Sequence, residues 1–178
     1  MKRARNSEFL RDLTRQELLK LIEVHAKNWL AHDGCWFLAA EQKYGFDSAI
    51  QLDTVACGNF SRIEAKRIMK AFGIPEGGGL DALQRALGYR LYTTVNPQTI
   101  ERPEAGKLVF KMLECRVHAA RERKGLPRFP CKSVGTTEYA EFAGAVDPRI
   151  KTRCLQCPPD ATGGTGFVCG WEFTLEES

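Results

Sequence analysis

The sequence predicts an α+β fold, an N-terminal helical layer packed on a small antiparallel sheet. Three observations carry it. Apolar residues recur at helical spacing behind capping-box signals through the first half of the chain, and strict alternation appears near the C-terminus. Five of the seven cysteines fall at or beyond residue 115, where that change of pattern occurs. Residues 1–100 are read as the helical layer and 101–178 as an α+β portion with the cysteine cluster, together one compact domain.

The elements follow in order. Thr14-Arg15-Gln16-Glu17 has the form of a capping box, with Leu18, Leu21, Ile22, His25 and Trp29 behind it on one helical face. The same period reaches His32 or Asp33, then Trp36 and Phe37, with Gly34 as a bend or close-packing point. Ser61-Arg62-Ile63-Glu64 reads as a second box opening a helix with Ala65, Ile68, Met69 and Phe72 buried, ended by Gly73 and Pro75. Leu80, Leu83, Leu87 and Leu91 mark a further amphipathic helix, which ends before Asn96-Pro97. Leu108 to Val117 is short, apolar and preceded by Pro103 and Gly106, so it is expected as a strand. Tyr139, Phe142 and Val146 define a helix over Val134 to Val146 that Pro148 closes. Finally Phe167, Cys169, Trp171 and Phe173 alternate with Val168, Gly170, Glu172 and Thr174, the period of a half-buried strand.

Composition bounds the function. With 178 residues, 43% apolar and 27% charged, the chain can bury a core without disulfides or metals. A net charge of +4 is too slight for a nucleic-acid footprint, and the uncharged runs are too short for a bilayer. Lys2, Arg3 and Arg5 are followed by Asn6, Ser7 and Glu8 rather than an apolar run, so no secretory leader is read and a cytoplasmic protein is expected.

In a reducing compartment seven cysteines point to metal ligation, reactive thiols or small core residues. Cys131, Cys154, Cys157 and Cys169 are separated by 22, 2 and 11 residues. The Cys154-Leu155-Gln156-Cys157 turn can place two thiolates on one ion, with Cys131 from a helix start and Cys169 from a strand, and four thiolates suit tetrahedral zinc. Lys151 and Arg153 offset the charge of such a unit. A redox pair at Cys154 and Cys157, an iron–sulfur cluster, or cysteines with no shared role are the alternatives.

The stretches FPCKSVG, KTRCLQCPPD and FVCGWEF resemble the vinyl-reductase type of small-molecule-binding domain found in hydrocarbon-binding and phenol-sensing proteins. In those domains a Cys before a helix, an acidic or thiol ligand, a further Cys and a Cys on the last strand hold zinc. The resemblance thus implies zinc at Cys131, Cys154, Cys157 and Cys169. Over a longer span, NWLAHDGCWF, IEAKRIMKAFGIPEGGG, CRVHAARERKGLPRFPCKSVG and DPRIKTRCLQCPP resemble a prokaryotic family related to L-2-amino-thiazoline-4-carboxylic acid hydrolase. That resemblance implies ring-opening hydrolysis of a small cyclic substrate.

Two further groups bear chemistry. Trp29, His32, Asp33, Trp36 and Phe37 are expected to line a ligand pocket facing the C-terminal sheet, with aromatic walls and a polar anchor at His32 or Asp33. A hydrolase would use Cys115 as nucleophile, His118 as base and Arg116 as carboxylate anchor. On a strand, however, Cys115 and Arg116 point to opposite faces, and no bend is expected there. Arg121, Arg123, Lys124 and Arg128 read as a solvated basic face. The expectation is therefore a zinc-containing sensor or carrier of a small organic molecule, with room for a homodimer, without nucleic-acid or membrane partners; the alternative is the Cys-dependent hydrolase.

Overall fold

The computed structural model describes residues 8–161 and 164–176, so the basic residues near the N-terminus lie outside the described residues. The elements are helices α1 (Glu8–Arg11), α2 (Arg15–Tyr44), α3 (Phe46–Phe72) and α4 (Gly79–Leu87), a 3-10 turn (Leu91–Thr94), strands β1 (Gln98–Glu101) and β2 (Lys107–Met112), helices α5 (Arg116–Arg123) and α6 (Lys132–Val146), and strands β3 (Ile150–Gln156) and β4 (Cys169–Leu175). The strands form one antiparallel sheet in the order β1-β2-β4-β3. The α+β expectation holds. Its layering is different, because α4 and α6 cover the sheet, α3 packs on α6, and α2 packs outermost on α3.

The sheet's covered face explains this order. Trp171 and Phe173 of β4 and Leu108 and Phe110 of β2 are fully buried or nearly so, against Tyr139, Phe142, Ala143 and Val146 of α6. Each such side chain contributes roughly 1.5–3 kcal/mol by leaving water. Tyr139 stacks on Trp171 with ring centroids 4.9 Å apart, and Gly135 admits the indole where a Cβ would lie 2.7 Å from Trp171 Cζ2. Leu80, Leu83 and Leu87 seat α4 beside α6 as the leucine repeat predicts. Asp147 then locks the α6 to β3 turn. It accepts from the Gly79 N–H at 2.9 Å and from the Arg149 guanidinium at 2.7 Å, while Arg149 also donates to the Gly77 carbonyl.

The first capping box forms as predicted, with Thr14 and Glu17 satisfying each other's backbone N–H groups. The second does not. Ser61 is fully buried in the middle of α3, which starts at Phe46 after Gly45 breaks the chain at φ 86°. Glu64 is taken by a buried arginine instead of a cap. Helix α2 runs through Gly34 without a break. The strand expected to reach Val117 stops at Met112; Leu113 N–H still donates to the Pro97 carbonyl, one step beyond the β1–β2 pairing, and the chain then bends into α5 at Arg116. Strands β1 and β3 were not anticipated.

Candidate functional site

The bend after β2 reorganises the cysteine end of the molecule. Cys115 caps α5, so His118 falls in that helix's first turn and faces Cys131, the residue that caps α6. Cys131 Sγ lies 3.4 Å from His118 Nε2 and 3.5 Å from Cys157 Sγ. Cys169, the first residue of β4, is the second thiol acting on Cys157. Local backbone chemistry fixes the framework. Asp160 accepts from the Cys157 N–H at 3.2 Å and from Lys132 Nζ at 2.8 Å, and the Lys132 N–H donates to the Pro158 carbonyl, so the loop after β3 is stitched to the start of α6.

Electrostatics separates the thiols. A hydrogen bond with Cys157, then the His118 ring, holds Cys131 below the usual thiol range, to about 6, against the opposing effect of burial. Cys157 is pushed up by its hydrogen bonding with Cys131 and Cys169. Cys154 is pushed up by burial, partly offset by Lys132, and stands opposite Trp171 on β3. Burial pushes Cys115 up to about 11. His118 Nδ1 is buried without a partner among the described residues, and Cys131 at Nε2 is the hydrogen-bonding contact of the ring. Among the described residues, no three His, Cys, Asp or Glu side chains are gathered closely enough to hold a metal ion as they stand.

The expected nucleophile machinery is not assembled. The bend that the strand reading excluded does occur, yet it carries His118 to Cys131 rather than Cys115. Arg116 is exposed, and its N–H donates to Asn96 Oδ1 at 3.1 Å. The expected basic face is also corrected at one position. Arg121 is buried, donates to Glu41 at 3.0 and 3.3 Å and to the Pro127 carbonyl, and lies over the rings of Phe37 and Phe46. Arg123, Lys124 and Arg128 are exposed as expected.

The aromatic and ionisable stripe of α2 does not face the sheet, because α3 and α6 intervene. Trp36 is 68% exposed and Trp29 is 48% exposed, resting on Phe60 with centroids 5.2 Å apart. His32 and Asp33 are exposed. Phe37 alone turns inward, into a cluster with Phe46 and Phe129. Two open depressions mark the surface. One, lined by Ile50, Pro130, Lys132, Ser133, Thr136 and Pro159, adjoins the thiol cluster; the other lies along α4.

Sequence reasoning missed a buried charge network between α3, the 3-10 turn and α6. Arg90, 2% exposed, donates to Glu64 at 2.9 Å and to Glu138 at 2.6 Å, beneath the rings of Tyr92, Tyr139 and Phe142. Further along, Cys57 Sγ donates to Asp53 Oδ1 at 3.3 Å, and burial pushes Asp53 up to about 6. The available signal was Glu64, four residues before Ile68 on the buried stripe.

No helix of the described residues is long and apolar enough to cross a membrane. No curated protein and no solved structure matches the chain. A family described as a family of unknown function (DUF6125) does match, and it bears on neither of the resemblances read from the sequence. Since that match runs over residues 11–175, nearly all of the 178-residue chain, the chain belongs to this family.

Proposed function

We propose that this protein is a zinc-containing sensor or carrier of a small organic molecule, with the metal held by Cys131, Cys157, Cys169 and His118 and the ligand seated beside it. The observation that carries the reading is the contact of Cys131 with both His118 and Cys157 at 3.4 and 3.5 Å. Donors sharing one tetrahedral zinc lie about 3.5–3.8 Å apart, given bonds of ~2.0–2.3 Å. Three thiolates and one imidazole are a closed structural set, and Lys132 sits where it offsets the remaining negative charge. His118 replaces Cys154 in the expected set because it already touches Cys131. Bound there, zinc would tie α5, α6 and the ends of β3 and β4 together. The adjoining depression, with Ile50, Pro130 and Pro159 around Lys132, suits an apolar molecule carrying an anionic group.

Elemental analysis of the purified protein tests the metal. About one zinc per chain is expected, lost in Cys157→Ser and His118→Ala and kept in Cys154→Ser. Metal-free protein overturns the reading, and a brown protein with visible absorption replaces zinc by an iron–sulfur cluster. Hydrogen exchange after chelation should rise in α5 and in residues 157–169 rather than uniformly. For the ligand seat the probe is anilinonaphthalene sulfonate, an apolar anion. Thr136→Trp should weaken its binding at least tenfold, and unchanged binding removes the ligand from this depression.

A further inference from the structure

We infer that the exposed stripe of α2 is the interface of a homodimer, each copy laying this helix against the same helix of the other. The stripe consists of Leu18, Ile22, His25, Trp29, His32 and Trp36, whose spacings of 4, 3, 4, 3 and 4 are those of a coiled-coil seam. Helix α2 is 30 residues long, and Ala26 is its one buried residue. The four apolar members of the seam are 37, 52, 48 and 68% exposed in chain order, and both histidines are exposed. A helix this long, packed along one side only, leaves this row more than a third exposed throughout, with Trp29 resting on a neighbour, Phe60 of α3.

The occupant follows from area and charge. Taking full side chains at ~150–250 Å² for the aromatics, the four apolar residues offer on the order of 400–500 Å² per chain. That matches the largest apolar patch of a typical monomer, about 300–600 Å², a size at which such patches are often functional. Two such faces with their polar margins reach the ~1,200 Å² at which specific interfaces begin. Charge excludes an anionic membrane as the partner. Surface-seeking helices carry an excess of Lys and Arg, whereas on α2 Arg15, Lys20, Lys27 and Lys43 are balanced by Glu17, Glu23, Asp33 and Glu41. Glu41 is held by Arg121, but Lys20 and Lys27 beside Glu17 and Glu23 still offer both signs to a copy of this helix, which suits the self-complementary patch of a two-fold interface. The histidines interrupt an otherwise apolar row, and polar seam positions of this kind fix register at a cost in affinity.

Sedimentation equilibrium of the full chain, from about 1 to 100 μM, tests the interface, with the expected species at twice 20.0 kDa. The double variant Ile22→Glu, Trp36→Glu should sediment as a monomer with an unchanged far-ultraviolet circular dichroism spectrum. His25→Leu, His32→Leu should tighten the dimer at least tenfold, so the test survives a failure of the charged variant to fold. A monomer at 100 μM in the parent protein overturns the inference. So does a dimer unaffected by both double variants, or a monomer that binds vesicles of phosphatidylcholine and phosphatidylglycerol through α2. Zinc content enters none of these outcomes.

Discussion

Arg90 shows how much one side chain can hold. Its guanidinium is buried between α3 and α6, spans Glu64 and Glu138, and leaves Nη1 without a partner. Glu64 is pushed up by burial even with Arg90 beside it, so desolvation outweighs the pairing at that carboxylate. Removing the cation should therefore be far worse than never having had the network. Arg90→Met is expected to cost about 3–5 kcal/mol in urea unfolding, because two buried carboxylates lose their counter-charge. Replacing Arg90, Glu64 and Glu138 together by Met, Leu and Leu should cost less than the single change. A single-variant cost below about 1 kcal/mol would mean that water reaches the carboxylates. At the same scale, Cys131 and Cys157 were legible as partners, since both belonged to the expected metal set. The contact of Cys131 with His118 was not, because it depends on a bend of a few residues after Met112 that an apolar run conceals.

Elements were legible in proportion to the apolar contrast between their faces. Helix α6 and strand β4 fall close to where their periodicities place them, since each buries one row of large side chains, whereas α4 keeps Leu80, Leu83 and Leu87 but stops there, with the repeat's Leu91 in the 3-10 turn. Strand β3 was hidden because its inward residues include Thr152, Cys154 and Gln156, which carry little hydrophobic signal, while Lys151 and Arg153 point outward. The start of α3 was displaced because Ser61 and Glu64 form a cap-like pattern inside a helix, where a backbone N–H already has its partner. The stripe of α2 was read correctly as a periodic row and assigned the wrong neighbour, since periodicity reports a face and not what covers it. A paired substitution tests the packing of α6 on β4. Gly135→Ala brings a Cβ against the Trp171 ring and should cost about 1–3 kcal/mol. Gly144→Ala, on the same helix, meets nothing within 4 Å and should stabilise by up to ~1 kcal/mol through helix propensity. Equal effects in thermal unfolding would show that the indole does not depend on the glycine gap.

At the scale of the whole molecule, two carboxylates bend the pH dependence of stability in opposite directions. Asp147 is held down to about 2, first by its hydrogen bond with Arg149 and then by the backbone donors of Arg149 and Gly79. Its folded pKa lies below the unfolded value of about 3.9, so its stabilisation is complete above pH ~4 and is lost as pH falls toward 2. Asp53 is the reverse case. Burial raises it to about 6, so the folded protein takes up its proton before the unfolded chain does. Stability should then rise as pH falls from about 6 to 4, by on the order of 1–3 kcal/mol. In metal-free protein the maximum is accordingly expected near pH 4–5, with a decline below it as Asp147 protonates. Asp53→Asn keeps an acceptor for Cys57 and mimics the protonated acid, so it should be more stable than the parent at pH 7, equal to it at pH 4, and without the rise between them. Urea unfolding of both proteins from pH 3 to 7.5 measures the difference. If the two curves run parallel through that window, Asp53 titrates no differently when folded, and water reaches its charge in the native state.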